Sequence, residues 1–389
     1  MHCYAVFLVA FLEDFRWSRA EASLAYSVSQ LVSGISSPLV GALVDRLGPR
    51  RLVQLGGILL AVGLGGAAYA TQLWHVVLLY GLVMTLGANF LGLVAFIPLL
   101  SRRFAERRGM ALSIVQSANG LARAISAPLA QLTVLAVGWR HAYHWQATAM
   151  AALVFPLAGF FRGTDVAARA ADGEPPRLSA AGAGNGPGAT RPGWTLRAAM
   201  RTPHFWLLAA VYFFTGLGSF LVSLHQLAFA VDLGFDKLHA ASVLGVGSGL
   251  AILGTIVTGT LSDHIGRELS AILAYGVSIA GVACALFLSG PDQAWLLWLH
   301  ASFFGLTWGA RGPAVTAKTA DLFPGPNLGV IVGVITIGSG LGSALGSWAA
   351  GFIFDVSGSY RLAFLLAIAS YVGGCVTFWA ARHPPARLG

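Results

Sequence analysis

GALVDRLGPRR, residues 41–51, joins two long apolar stretches, and GTLSDHIGRE, residues 259–268, joins two others. The two strings share more than character. Gly41, Asp45 and Gly48 recur as Gly259, Asp263 and Gly266, each 218 residues later. Working outward, Gly109 and Gly120 recur as Gly329 and Gly340 at an offset of 220, and Gly138 and Arg140 in GWRHAY recur as Gly358 and Arg361 in GSYRLAF at 220 and 221. A nearly constant offset at three separate places is the mark of an internal duplication, which transporter folds carry.

What surrounds these strings fixes the class. Of 389 residues, 56% are hydrophobic and 10% charged, with a mean hydropathy of +0.73, whereas a soluble domain carries about 25% charge. A soluble enzyme and a disordered chain are both excluded. The apolar residues fall in blocks of about 20, the length that crosses about 30 Å of hydrocarbon. Charged and Gly/Pro-rich breaks predict spans at 1–12, 22–44, 52–70, 74–100, 109–136, 139–161, 204–231, 238–262, 268–289, 294–316, 328–354 and 360–381. The expected fold is therefore an all-α membrane protein of twelve spans in two six-helix bundles, 1–161 and 204–389. The stretch 162–203 holds AADGEPPRLSAAGAGNGPGATRPG, too rich in Pro, Gly and charge to bury a core, and reads as a linker, with Trp194 to Met200 as an interfacial piece. The repeat offset maps span seven onto a first span whose opening half is missing. Twelve residues reach only about 18 Å, so the reading frame is expected to continue upstream of Met1.

The charges orient the chain. Most of the 24 Lys and Arg lie on one side of the alternating spans, among them Arg46, Arg50, Arg51, Arg102, Arg103, Arg267 and Lys318. Only Arg16, Arg19, Arg140, Lys237 and Arg361 lie on the other, while Arg123 and Arg311 fall inside spans. The rich side is cytoplasmic by the positive-inside rule, which puts the linker and the C-terminus in the cytoplasm of a multi-pass inner-membrane protein. The net charge of +9 is spread through these loops and predicts no nucleic-acid partner. Cys3, Cys284 and Cys375 lie in apolar blocks without metal-ligand spacing and read as packing residues.

These residues resemble the major facilitator superfamily over the whole chain outside the linker. GALVDRLGPRR looks like that family's signature loop between helices two and three, and GTLSDHIGRE like its weaker copy between eight and nine. EDFRWSRAEASLAYS, the HQLAFAVDLGF run from His225 and ARGPAVTAKTADLFP from Ala310 resemble bacterial relatives of monocarboxylate transporters and oxalate–formate antiporters. The resemblance implies two bundles that rock about a central cavity. It also implies a latch on the cytoplasmic side built around Gly41, Asp45, Arg46, Gly48 and Arg50, with Pro49 standing where the family often has a cation. Asp263 and Arg267 are the matching positions of the second copy.

A charge at mid-membrane costs at least about 2.5–3.5 kcal/mol, so Arg123 and Arg311 call for a function. Asn119 shares a helical face with Arg123, and Gln116 lies one further turn back. Arg311, in WGARGP, is flanked by Gly309, Gly312 and Pro313, which weaken the helix and free carbonyls. One arginine per bundle, each with a planar fork, predicts a grip on a carboxylate. The competing readings are a structural role for Arg123 and snorkelling to the cytoplasmic face for Arg311. His225 is the candidate for carrying a proton or lining the substrate path, against a packing role. Asn89 faces either the cavity or a helix contact. Lys318 and Asp321, three residues apart, are candidates for a cytoplasmic gate pair. Gly338, Gly342 and Gly346 form a smooth ridge suited to close helix packing.

All 15 Asp and Glu lie at span ends, in loops or in the linker. Without a carboxylate near a span centre the chain is poorly suited to carry cations or sugars with protons. No HExxH, GxSxG or P-loop is present, so no enzyme, cofactor or metal is expected. The expectation is a secondary transporter of a small organic anion, a mono- or dicarboxylate, working as a monomer in the lipid bilayer with a proton as a possible co-substrate or by exchange. An efflux carrier for amphipathic drugs is the alternative, and a membrane-embedded enzyme or sensor a remote one.

Overall fold

The computed structural model describes residues 3–92, 108–159, 194–325 and 327–382; of these, the side chains at 37, 38, 41, 42, 44–46, 49, 108–120, 123, 155, 158, 159, 263 and 313 lie outside the description. All regular structure among the described residues is helical. The first half holds α1 (Tyr4–Phe15), α2 (Arg19–Leu47), α3 (Pro49–Ala67), α4 (Leu73–Phe90) and α5 (Arg108–Gly159). A short α6 (Leu196–Met200), capped by Thr195, leads into α7 (Pro203–Ser223), α8 (Gln226–Asp232), α9 (Lys237–Gly249), α10 (Ala251–Ile265), α11 (Arg267–Phe287), α12 (Ala294–Leu306), α13 (Arg311–Leu322), α14 (Leu328–Ser357) and α15 (Arg361–Ala380). Each of the twelve expected spans overlaps at least one of these helices; 204–231, 238–262 and 294–316 each meet two, while 109–136 and 139–161 both fall on α5. Among the described residues six stretches are long and apolar enough to cross a membrane: Leu73–Phe90, Pro203–Asp232, Lys237–Ser262, Arg267–Phe287, Leu328–Ser357 and Arg361–Ala380.

The duplication seen in the sequence reappears in the backbone. Gly48 (φ 78°) starts α3 and its counterpart Gly266 (φ 92°) starts α11; Gly138 (φ 78°) breaks α5 into two spans and its counterpart Gly358 (φ 67°) ends α14. At all four points the chain reverses through a conformation in which a Cβ would meet the neighbouring carbonyl. The halves thus reuse glycine where the span must turn back.

Contacts divide the chain into two compact units. One comprises Leu24–Asn119 and Leu132–Ser179; the other comprises His2–Ser23, Gly120–Gln131 and Ala180–Gly389. In the first unit α3 packs along α4, and Val40, Leu52 and Phe90 form a small core. In the second, α7 lies along α14 and α15, and α11 against α12 and α15. The glycine ridge makes the α7–α14 approach possible. A Cβ at Gly338 would stand 2.5 Å from the Ala209 carbonyl oxygen, one at Gly346 2.6 Å from that of Leu217, and one at Gly342 would collide with that of Phe213. Small residues let backbones touch where lipid offers no hydrophobic drive to bring helices together. Two apolar clusters fill this unit, one around Phe205, Leu208, Ala314, Val315 and Phe323, the other around Leu221, Val282, Phe304, Phe364 and Tyr371.

Candidate functional site

Helix α12 ends at Leu306 and α13 begins at Arg311, with Gly309 at φ 78° in between. This is the weak point expected of the Gly- and Pro-rich sequence around Arg311. The break brings the guanidinium into the interior, where Arg311 is 4% exposed. The guanidinium is thus enclosed by protein and not turned out to the surface. Nη1 donates to Ser278 Oγ (2.7 Å) and Nη2 to Ser219 Oγ (3.3 Å), while the rings of Tyr275 and Tyr371 each lie 4.8 Å from the guanidinium carbon. Cation–π contacts of this kind attract a guanidinium that has been taken out of water. None of the described ion pairs includes Arg311.

Beside it opens a cavity of about 180 Å³ lined by Tyr212, Thr215, Ser219, Phe220, Trp308 and Ser339 among others, with Arg311 in its wall. One full charge, three hydroxyl-bearing side chains on α7 and an apolar aromatic wall therefore meet in one recess. None of the described residues that line this recess is a carboxylate. His225 does not line it. Arg123, Asn119 and Gln116 lie on α5, their side chains outside the described residues, as are those of Gly41, Asp45, Arg46 and Asp263. Asn89 is engaged between helices, accepting from Ser33 Oγ (3.2 Å) and donating to Ser36 Oγ (2.7 Å).

A second polar cluster gathers around Arg19 at the start of α2. Nη2 pairs with Asp232 at 2.8 Å, Nη1 donates to the Tyr360 hydroxyl at 2.5 Å, and the Phe354 ring lies 3.7 Å beneath the guanidinium. The Asp355 carboxylate accepts from the backbone N–H of Arg19 and of Ala20, both at 2.8 Å, which satisfies two of the donors a helix start leaves open. The Tyr360 phenol, as a neutral hydroxyl, can both accept and donate here. His225, 0% exposed, contacts Ser23 Oγ (3.1 Å), the Ser347 carbonyl (3.0 Å) and the Tyr360 hydroxyl (3.1 Å). Close by, Lys237 pairs with Glu13 at 2.5 Å. Lys237 stands 218 residues after Arg19, and Asp232 stands 218 after Asp14, next to Glu13. The two ion pairs are thus reciprocal, each joining one copy's cation to the other copy's acid. That reciprocity was available in the sequence, since Arg19 and Lys237 are two of the five cations on the sparse side.

The proposed pairing of Lys318 with Asp321 is corrected by the structure. Lys318, 8% exposed, turns inward to Glu268 Oε1 (2.5 Å) and the Arg382 carbonyl (2.9 Å), whereas Asp321 lies 3.8 Å from Arg267. Glu268 offers a buried ammonium a partner on the neighbouring helix; Asp321 sits in the last turn of α13 with its side chain 58% exposed. Arg267 also donates to Ser262 Oγ (3.2 Å), and Arg50 lies in the first turn of α3.

A family model described as Major Facilitator Superfamily matches residues 1–317. Monocarboxylate transporter 13 of Rattus norvegicus is 27% identical over 380 residues, covering 96% of this chain and 83% of that protein. The uncharacterized MFS-type transporter YhjX of Escherichia coli K12 is 24% identical over 330 residues, covering 83% and 77% respectively. The crystal structure of the nucleoside transporter NupG superposes with a TM-score of 0.78 at 13% identity, covering 98% of this chain and 94% of that one, a likeness of fold.

Proposed function

The chain belongs to the Major Facilitator Superfamily and is a membrane transporter, and on that premise we propose that it is a secondary carrier of a small organic anion, a mono- or dicarboxylate, moved by alternating access with proton coupling or by exchange. One observation carries the reading: a buried arginine, in no described ion pair, in the wall of a cavity of about 180 Å³. A carboxylate placed there gains a charge-assisted, two-pronged hydrogen bond that a neutral solute does not. The size argues in the same direction, because drug-sized ligands occupy pockets of about 300–1,000 Å³. Similarity to monocarboxylate transporters agrees with this cargo.

The remaining assignments follow from the sequence. The moving parts are the bundles 1–161 and 204–389, joined by the linker 162–203. Linker and C-terminus face the cytoplasm, the Asp45 loop latches that side, Arg123 supplies a second cation to the anion, and the carrier works as a monomer. Uptake of radiolabelled lactate, pyruvate and oxalate into proteoliposomes tests the cargo. Saturable uptake of at least one, lost in Arg311→Ala, is the expected result. Transport of amphipathic cations with no uptake of any carboxylate would overturn it in favour of drug efflux.

A further inference from the structure

Groups of fixed donor or acceptor character set the direction of several hydrogen bonds in the Arg19 cluster. A guanidinium only donates, so Arg19 Nη1 donates to the Tyr360 hydroxyl oxygen. A carbonyl only accepts, so His225 Nε2–H donates to the Ser347 oxygen. The single hydroxyl proton of Ser23 goes to the Arg19 carbonyl oxygen (2.5 Å), so Ser23 Oγ also accepts from His225 Nε2. Two independent contacts therefore place a proton on His225 Nε2, and in the neutral ring that is the Nε2–H tautomer. Its Nδ1 carries a lone pair, which accepts the Tyr360 hydroxyl proton. The donor chain runs Arg19 to Tyr360 to His225 to Ser347 and ties the start of α2 to α14 and to the turn before α15.

We propose that His225 is a proton-binding site whose occupation releases this latch. A proton arriving at Nδ1 turns that atom from acceptor into donor, so the Tyr360 hydroxyl, whose oxygen already accepts from Arg19, must swing its own proton away from His225 and loses the acceptor it has in the closed cluster. The same proton places a second positive charge in a cluster already holding Arg19. Among the described residues the other charged or titratable groups at the cluster are Asp232 from α8, Asp355 from α14 and Tyr360 itself, and the two carboxylates can compensate an imidazolium only when Arg19 has moved off them. Proton binding therefore favours the state in which the start of α2 has left α14, and opening in turn favours proton uptake, since linkage is reciprocal. The device rests on the carrier reading above, for which it supplies the proton's place of entry on the face opposite the basic loops. It does not depend on the Arg311 cavity.

The test is a distance measurement needing no substrate. In a chain with Cys3, Cys284 and Cys375 changed to alanine, spin labels are attached at E21C and V356C, exposed positions on either side of the cluster, and the protein is placed in lipid nanodiscs at pH about 8 and about 5, bracketing the ordinary histidine range. The expected result is a shift to longer distances at low pH, with the closed-to-open ratio falling about ten- to a hundredfold, as for loss of one charge-assisted hydrogen bond. His225→Gln, which stays neutral, should keep the high-pH distribution at both values. Tyr360→Phe, which lacks the relaying hydroxyl, should be open at both and keeps the test decisive if the histidine variant fails to fold. A parent distribution that ignores pH overturns the proposal. So does a His225→Gln variant that opens as the parent does, which would transfer the effect to Asp232 and Asp355, or a Tyr360→Phe variant indistinguishable from the parent. A pH-driven opening alongside failed carboxylate uptake would remove the anion reading alone.

Discussion

Replacing Arg311 by alanine takes the only described charge from the wall of the recess beside α7 and α13, and the structure says what remains. Ser278 keeps Thr307 (2.6 Å), Tyr275 keeps Thr215 (2.6 Å) and Tyr371 keeps Ser219 (3.3 Å). No buried hydroxyl of the cluster is orphaned, so the penalty that usually follows removal of one member of a buried network does not arise. The variant is expected to fold, with an enlarged cavity in place of the guanidinium. A bound carboxylate loses at least one charge-assisted bond, worth about 1.5–3 kcal/mol, which is roughly ten- to a hundredfold in Kd. Arg311→Lys restores charge but not the planar fork, and the two seryl contacts and two aromatic faces that position a guanidinium cannot all be met by an ammonium; partial recovery is expected. Quenching of intrinsic fluorescence on titration with lactate or pyruvate reads the affinity, helped by Trp308 in the cavity wall. Monodisperse Arg311→Ala protein with parental Kd for every carboxylate tried refutes the reasoning.

Three further outcomes are expected. Lys318→Ala leaves Glu268 half-enclosed without its ammonium and should lower stability by about 1–3 kcal/mol, whereas Asp321→Ala, at an exposed 3.8 Å pair, should change it by less than about 1 kcal/mol; thermal melting in detergent separates them, and equal shifts would restore the gate pairing. Gly342→Ala drives a Cβ onto the Phe213 carbonyl and should reduce the yield of folded protein, while Gly333→Ala, which meets open space, should be neutral or slightly stabilising because alanine is the better helix former; size-exclusion profiles compare the two. Asp45→Asn should slow uptake more than it weakens substrate binding, since the loop is read as biasing two states without touching cargo, and unaltered uptake rates speak against that latch.

Architecture was legible because it depends on quantities carried locally by the chain. Span length is set by bilayer thickness, and an apolar block of that length can be read directly from the chain. The turn glycines are marked by a backbone geometry that few other residues adopt, so Gly48, Gly138, Gly266 and Gly358 could be paired before any coordinates existed. The glycine ridge of α14 was readable for the same reason, as a row of missing side chains. Arg311 was conspicuous because a charge inside an apolar span has no bland explanation. What surrounds it was not conspicuous. Tyr275, Tyr371, Ser219 and Ser278 are ordinary residues in membrane helices, and only the packing of α7, α11 and α15 around the break before α13 turns their rings and hydroxyls onto one guanidinium. Lys318 shows the same limit in reverse: Asp321 is its near neighbour along the helix, yet Glu268, 50 residues away, is its partner. The Arg19 cluster draws on residues spread from 19 to 360. Side-chain partners are a property of which helix faces meet, and that is decided by close packing of whole surfaces in three dimensions, which no local window of sequence contains.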